Sequence, residues 1–403
     1  MSRSATLSDN PGIGFNGWAQ KGSGMKKRVC FVVASEITVT SFLIGHLQLL
    51  SEMCEVDVVV NTNDRDFLKP FGLNATVIPV GIERKISLFR DVRAIVSLWF
   101  LFRKKRYNAV HSITPKAGLL TMTAARFAGI PFRIHTFTGQ MWATRSGVAR
   151  YVFKTFDRLI ALNAVHVLVD SRSQRDFLIG EKVVSGKKTQ VLADGSICGV
   201  NTERFRPNPE IRETVRRELN VEGSGIVLLY VGRLAEDKGL TDLASAFNAV
   251  CERHNTVYLL LVGPDEEGMR DRIIRLCTGH LERIRFVDYT ATPERFMAAA
   301  DVFCLPSYRE GFGMAVIEAA AVGIPAIATR IYGVTDAVEE GATGFLYEPH
   351  SVHELAEKML VTVDNPEIRS EMGRKARDRV NRLYSAERVA SAFLDFYQSV
   401  LSS

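Results

Sequence analysis

The chain has 403 residues, 46% of them hydrophobic and 24% charged, a globular balance that excludes wholesale disorder. Six cysteines at this length exclude a disulfide scaffold, and no apolar run reaches the roughly 18 residues needed to cross a bilayer. The net charge is +6, yet residues 83–158 alone hold 15 Lys or Arg against three acids, so the positive excess is local and points to an anionic partner surface.

Residues 1–24 have no apolar segment of a secretory signal and are expected to form a flexible leader. They contain Gly12-Ile13-Gly14-Phe15-Asn16-Gly17, which fits G-x-G-x-x-G. No strand precedes it and no apolar helix follows, so the turn that cradles a dinucleotide is not expected there. Short β-branched runs at 29–34, 56–61, 75–80, 109–113, 133–137, 165–169 and 189–192 predict strands, with amphipathic stretches between them. Asp64-Arg65-Asp66 reads as a turn after a strand rather than a metal site, and Asn74-Ala75-Thr76 as a sequon without meaning in the cytosol. Cys30, Cys54, Cys198, Cys251, Cys277 and Cys304 each lie in or beside apolar stretches and read as buried free thiols. No metal-ligand spacing is present.

Turn chemistry at Asp194-Gly195-Ser196 and Gly199-Val200-Asn201 breaks the pattern. It restarts with runs at 226–231, 257–262, 284–287, 302–305, 326–329 and 344–347. The expected fold is α/β: two doubly wound, Rossmann-like domains, 25–197 and 198–384, facing across a cleft, with a C-terminal helix at 385–403 crossing back to the first domain. Ligands in such sheets bind beyond the carboxyl ends of the strands.

Two loops at those ends carry chemistry. Pro306-Ser307-Tyr308-Arg309-Glu310-Gly311-Phe312-Gly313-Met314 joins a strand to a small-residue helix that contains Glu318. Its glycines let unpaired helix amides approach an anion such as a diphosphate. Glu310 and Glu318 beside an anion site make sense if they accept hydroxyl hydrogen bonds, as sugars offer. Gly232-Arg233-Leu234-Ala235-Glu236-Asp237-Lys238-Gly239 also joins a strand to a helix, and Arg233 and Lys238 could grip one pair of phosphates. The bland alternative for both is solvated charge on a βα turn. In the first half, His111 and His135 fall at the ends of predicted strands, on the functional rim.

Together these residues resemble the retaining glycosyltransferases of family 4, which have the GT-B fold. The segments Thr114-Pro115-Lys116-Ala117-Gly118, His135-Thr136-Phe137-Thr138-Gly139 and Gly199-Val200-Asn201-Thr202-Glu203-Arg204-Phe205 are similar to its bacterial polysaccharide branch, whose members extend saccharides on undecaprenyl diphosphate. The likeness covers about 25–400. It implies a metal-independent sugar transferase, hexosyl or N-acetylhexosaminyl, in surface-glycan (lipopolysaccharide) biosynthesis, with no cofactor, taking a UDP-sugar more readily than a GDP-sugar. Arg233 and Lys238 would bind the diphosphate and stabilise the leaving group. Glu318 would bond the ribose, and Glu310, with Gly311, Phe312, Gly313 and Met314, the donor sugar. Val287, Asp288 and Tyr289 would read the base, and His135 would touch the sugar in the cleft. The Gly-Gly loop that many members carry after the first strand is replaced by Ser35-Glu36-Ile37-Thr38-Val39-Thr40-Ser41. Acceptor contacts are therefore expected only by position, at Thr38, Ser41, His111 and Lys116.

Arg90, Arg93, Arg103, Lys104, Lys105 and Arg106, interleaved with aromatics that include Trp99 and Phe102, fit a peripheral anchor on the anionic inner face of the membrane, where a lipid-linked saccharide would be held. A core helix with a solvated basic end is the competing reading. A UDP-sugar 2-epimerase of the same fold and a non-catalytic assembly module stay open. A nucleic-acid partner would leave the carboxylate and phosphate motifs unexplained and is not expected.

Overall fold

The computed structural model describes residues 26–83 and 87–402. The expected leader and its glycine motif lie outside them. Among the described residues, thirteen strands form two all-parallel sheets. The first has the order β3-β2-β1-β4-β5-β6-β7 and the second β10-β9-β8-β11-β12-β13. The first is built from β1 (Lys27–Val32), β2 (Cys54–Val60), β3 (Thr76–Pro79), β4 (Ala109–Ile113), β5 (Phe132–Phe137), β6 (His166–Val169) and β7 (Thr189–Val191). The second contains β8 (Ile226–Val231), β9 (Val257–Val262), β10 (Ile284–Val287), β11 (Val302–Leu305), β12 (Ala326–Thr329) and β13 (Gly344–Tyr347). Every predicted run became a strand, with ends shifted by two residues at most.

The strands read as continuous apolar runs because helices cover both faces of each sheet. In β1, Cys30 joins one core while Val29 and Phe31 join the other, as the period of two demands. Each order reverses direction at one point, between β1 and β4 and between β8 and β11. The crevices at these switch points are where loops can meet a ligand.

The helix Ala386–Ser402 leaves the second domain and buries Phe393, Phe396, Tyr397 and Val400 in the first domain's core. The two chain crossings lie side by side: Val200 N–H donates to the Tyr384 carbonyl (2.8 Å) and Ala386 N–H to that of Val200 (2.9 Å). The six cysteines are free, and all but the partly buried Cys198 are fully buried. Among the described residues, no helix is long and apolar enough to cross a membrane.

Candidate active site

The two loops at the β8/β11 switch point are pressed together. Gly239 has φ +65°, and a Cβ there would lie 2.0 Å from the Pro306 carbonyl oxygen, so only glycine allows this approach. The contact sets Lys238 against Glu310, with Nζ donating to Oε1 at 2.6 Å and both side chains largely buried. Arg309 is held to Asp237 at 2.6 Å, and the Tyr308 N–H donates to the Asp237 carbonyl at 2.9 Å. Arg233 projects from the same crevice and pairs with Glu266 at 2.6 Å. Glu236 and Asp237, the acids between these two cations in the chain, bind Arg272 and Arg309 instead of them.

The helix Met314–Val322 begins at Gly313, which has φ +83° and supplies no side-chain cap. Its first amides therefore face the crevice as donors, and its dipole favours an anion there. Glu318 lies in the second turn of this helix, half-buried. Burial pushes its carboxyl up to about 7, with Arg204 opposing the shift and Glu294 adding to it. Glu318 lines a cavity of about 530 Å³ between the domains, together with Tyr289, Arg204, Asn201 and, from the first domain, Ser41 and His46. This volume suits a small-molecule ligand. Phe312 and Met314 are spent on the frame: Phe312 packs edge-on against Tyr384, and the Ser196 hydroxyl donates to the Met314 sulfur at 3.0 Å. Val287 and Asp288 lie beside the cavity without lining it; Asp288 pairs with Arg270 at 2.6 Å.

The rim of the first sheet closes on this crevice. A Cβ on Gly139 would lie 3.1 Å from the Glu310 backbone, and one on Gly311 would lie 2.7 Å from Asp170 Oδ2. The Gln140 N–H donates to the Tyr332 hydroxyl at 3.1 Å, the Gly333 N–H to Ser173 Oγ at 2.7 Å, and the Ser173 hydroxyl to Asp336. Phe177 stacks on Tyr332 with centroids 4.4 Å apart. Asp170 is only 5% exposed and its Oδ1 has no partner; burial pushes its carboxyl up to about 8. Glu310 and Gly311 apart, the contacts of this seam were not expected from the sequence, and Asp170 was not named at all. A lone acid just after a strand reads as a turn residue, although the rim argument applied to the histidines applied equally to it.

The histidine assignments are corrected. His135 does not touch the cleft. Strand alternation turns it under the helix Pro115–Phe127, where it is fully buried. Its Nδ1 meets Ser112 Oγ at 2.8 Å, and a Cβ on Gly118 would sit 2.4 Å from its ring. Burial drives its pKa down to about 3, so the ring is neutral. His111 faces the opposite way. Its Nδ1 meets the Tyr397 hydroxyl at 2.8 Å and its Nε2 Thr136 Oγ1 at 2.7 Å, which makes it the seat of the C-terminal helix and not an acceptor contact. Lys116 is also removed from the acceptor side: its Nζ pairs with Asp91 at 2.7 Å, linking two helices of the first domain. The stretch after β1 is the helix Glu36–Phe42. Thr38 bonds Ser35 there, and Ser41 reaches the cavity.

The basic helix Leu88–Lys105 presents a different face from the one expected. Phe102 is fully buried and Trp99 half-buried against the core. The exposed stripe is Phe89, Val92, Val96 and Phe100, preceded by Leu88 at 83% exposure and flanked by Arg93, Arg103 and Lys104. Arg90 pairs with Glu83, Lys105 with Asp57 at 3.3 Å, and Arg106 ends the helix in the left-handed conformation.

Residues 211–379 match the family described as glycosyl transferases group 1, and residues 47–195 the glycosyl transferase 4-like domain. The two matches together cover most of the chain, which is a glycosyltransferase of these two domains. Its similarity to a Staphylococcus aureus capsular polysaccharide biosynthesis glycosyltransferase, CapM, is 29% identity over 380 residues, 94% of this chain and 98% of that one. An Escherichia coli enzyme named UDP-Gal:alpha-D-GlcNAc-diphosphoundecaprenol alpha-1,3-galactosyltransferase is 27% identical over 320 residues, 78% of this chain and 81% of its own. Anabaena HepE, solved in complex with UDP, superposes with a TM-score of 0.76 at 20% identity, over 93% of this chain and 100% of HepE. The likeness to HepE carries the fold, which is GT-B.

Proposed function

We propose that this glycosyltransferase moves a sugar from a UDP-sugar to a saccharide carried on a polyprenyl diphosphate, with retention of configuration and without a metal. The observation that carries the reading is the pairing of Lys238 with Glu310 at the mouth of an uncapped helix. A cation, helix amides and a second cation, Arg233, converge on one crevice. The carboxylates of Glu310 and Glu266 hold these cations. The donor diphosphate would take over that role, leaving Glu310 to accept hydroxyls of the donor sugar and Glu318 those of the ribose, with Tyr289 beside the base.

Glycosyl transfer breaks the bond from C1 to the diphosphate oxygen, and the electron pair leaves with the diphosphate. Fixed cations and amides aimed there act where negative charge develops. The acceptor oxygen bonds C1 on the same face, and its proton passes to the departing phosphate. No second carboxylate is then needed as nucleophile, in contrast to a retaining glycosidase. UDP and a lipid-linked acceptor are favoured by the likeness to the Escherichia coli galactosyltransferase, which is named for both. The exposed stripe from Leu88 to Phe100, with Arg93, Arg103 and Lys104, has the chemistry to rest on an anionic cytoplasmic membrane face.

A thermal-shift panel of nucleotides and nucleotide sugars, with and without EDTA, tests the reading. A ligand at 100 times its Kd should stabilise the fold by about 2.7 kcal/mol. The expected result is a UDP shift that survives EDTA and disappears in Arg233→Ala. No shift with any nucleotide would overturn the donor assignment.

A further inference from the structure

Asp170 follows β6 on the rim of the first sheet, and its environment is unusual for a carboxylate. Burial of an acid normally comes with a cation or several donors, because an unpaired buried polar group costs stability. Asp170 is buried at 5% exposure with an unpartnered Oδ1. Its position is nonetheless well determined. Its N–H donates to Gln174 Oε1 at 2.8 Å, and the Gln174 amide in turn donates to the Thr138 carbonyl at 2.7 Å. Gln174 is fully buried, so this bond fixes the ends of β5 and β6 relative to each other. The Asp170 carbonyl accepts the Ser196 N–H at 2.6 Å, which fixes it from the other side.

This rigid frame aims the other oxygen across the domain seam. Oδ2 lies 2.7 Å from where a Cβ on Gly311 would be, and the same virtual Cβ is 3.0 Å from the Gly139 N. Asp170, Gly139 and Gly311 thus meet at one point, beside the Glu310 that pairs with Lys238. A side chain on either glycine would fill this junction. Burial alone favours the uncharged form of this carboxyl, and its ionised form would repel a diphosphate. A neutral donor is what would hold it ionised in the presence of substrate, and the neutral donors of a glycosyl transfer are sugar hydroxyls.

We propose that Asp170 is a substrate-contacting residue of the transfer reaction, its carboxylate accepting a hydrogen bond from a sugar hydroxyl that enters between the Thr138–Gly139 and Glu310–Gly311 backbones. This rests on the sugar-transfer reading above and adds to it a residue from the first domain. Seating the hydroxyl parts the Gly139–Gly311 contact slightly and gives Oδ2 a donor. The closed seam is then more favourable with substrate than without. The hydroxyl belongs either to the donor sugar or to the acceptor, and the two sources separate experimentally.

The test compares the full chain with its Asp170→Asn and Asp170→Ala variants. UDP affinity is measured by calorimetry. Turnover of the UDP-sugar used by the wild type is followed as UDP release, with acceptor and by slow hydrolysis without it. The expected result is unchanged UDP affinity with turnover lowered by about tenfold or more, the loss expected for a hydrogen bond to a charged group. Loss of hydrolysis as well assigns the hydroxyl to the donor sugar; hydrolysis retained with transfer lost assigns it to the acceptor. Transfer within about twofold of wild type in the near-isosteric Asn variant overturns the proposal, whatever becomes of the Ala variant's stability. Wild-type protein that binds no UDP overturns the donor reading instead, and that titration involves no change at Asp170.

Discussion

Lys238 Nζ donates to Glu310 Oε1 at 2.6 Å, so the cation best placed for a leaving diphosphate is held by the carboxylate best placed for a sugar. The two partners predict opposite effects on nucleotide binding. Lys238→Ala should weaken UDP by about tenfold or more, the value of one charge-assisted bond, and lower turnover by roughly 10²–10³-fold, as for loss of one group stabilising developing charge. Glu310→Gln should tighten UDP binding severalfold, because Lys238 no longer leaves a carboxylate to meet the phosphate, while turnover falls. Calorimetry with UDP and initial rates separate the two; weaker UDP binding in Glu310→Gln would count against this geometry.

With Glu318 on the ribose, as proposed, nucleotide binding is predicted to depend on pH. Burial raises its carboxyl to about 7 in the free protein. Ribose hydroxyls bond the ionised form better, so the bound carboxyl has a lower pKa than the free one. Below pH 7 binding must release a proton and is weaker; above it that cost vanishes. UDP affinity should therefore rise between pH 6 and pH 8, by up to about tenfold, one pKa unit being 1.36 kcal/mol. Titrations of the wild type and Glu318→Gln across this range check it, with the variant retaining only the pH dependence of the nucleotide itself.

The last helix is predicted to depend on the Tyr397 hydroxyl. It meets His111 Nδ1 at 2.8 Å in a buried site beside Phe393 and Phe31. Tyr397→Phe leaves a buried imidazole nitrogen without that partner, at a cost of about 1–3 kcal/mol. Calorimetric unfolding should show a midpoint lowered by a few degrees, with UDP affinity at the folding plateau unchanged.

The apolar stripe of the helix Leu88–Lys105 is predicted to act only at a membrane. Replacing Leu88, Phe89 and Val92 together by Ser removes exposed side chains that contribute nothing to the core. Each would contribute about 1.5–3 kcal/mol if fully buried in lipid. Sedimentation with phosphatidylglycerol vesicles should fall by tenfold or more, while UDP affinity and thermal midpoint stay as in the wild type. Equal sedimentation of both proteins would remove the anchor reading.

The alternation of apolar runs and amphipathic stretches was enough to locate all thirteen strands, because a strand buried on both faces must be apolar along its length. The two loops at the second switch point were legible for a related reason. Glycine, charge and a following small-residue helix are local requirements of an anion cradle, and local requirements are written in consecutive residues. On that basis Arg233, Lys238, Glu310, Gly311 and Glu318 stand out in the sequence as candidates, and the structure brings the two loops that carry them together.

Tertiary structure decided which faces and which partners. His111 and His135 sit on adjacent strands near the same rim. One faces the C-terminal helix, almost three hundred positions away in the chain, and the other lies under a neighbouring glycine. Phe102 and Phe100 are two residues apart and lie on opposite sides of one helix, one buried and one exposed. Asp170 acquires its meaning only from Gly139 and Gly311, brought against it by closure of two domains. Composition and period describe a residue's own segment, whereas burial, pairing and charge balance depend on what the rest of the chain packs against it.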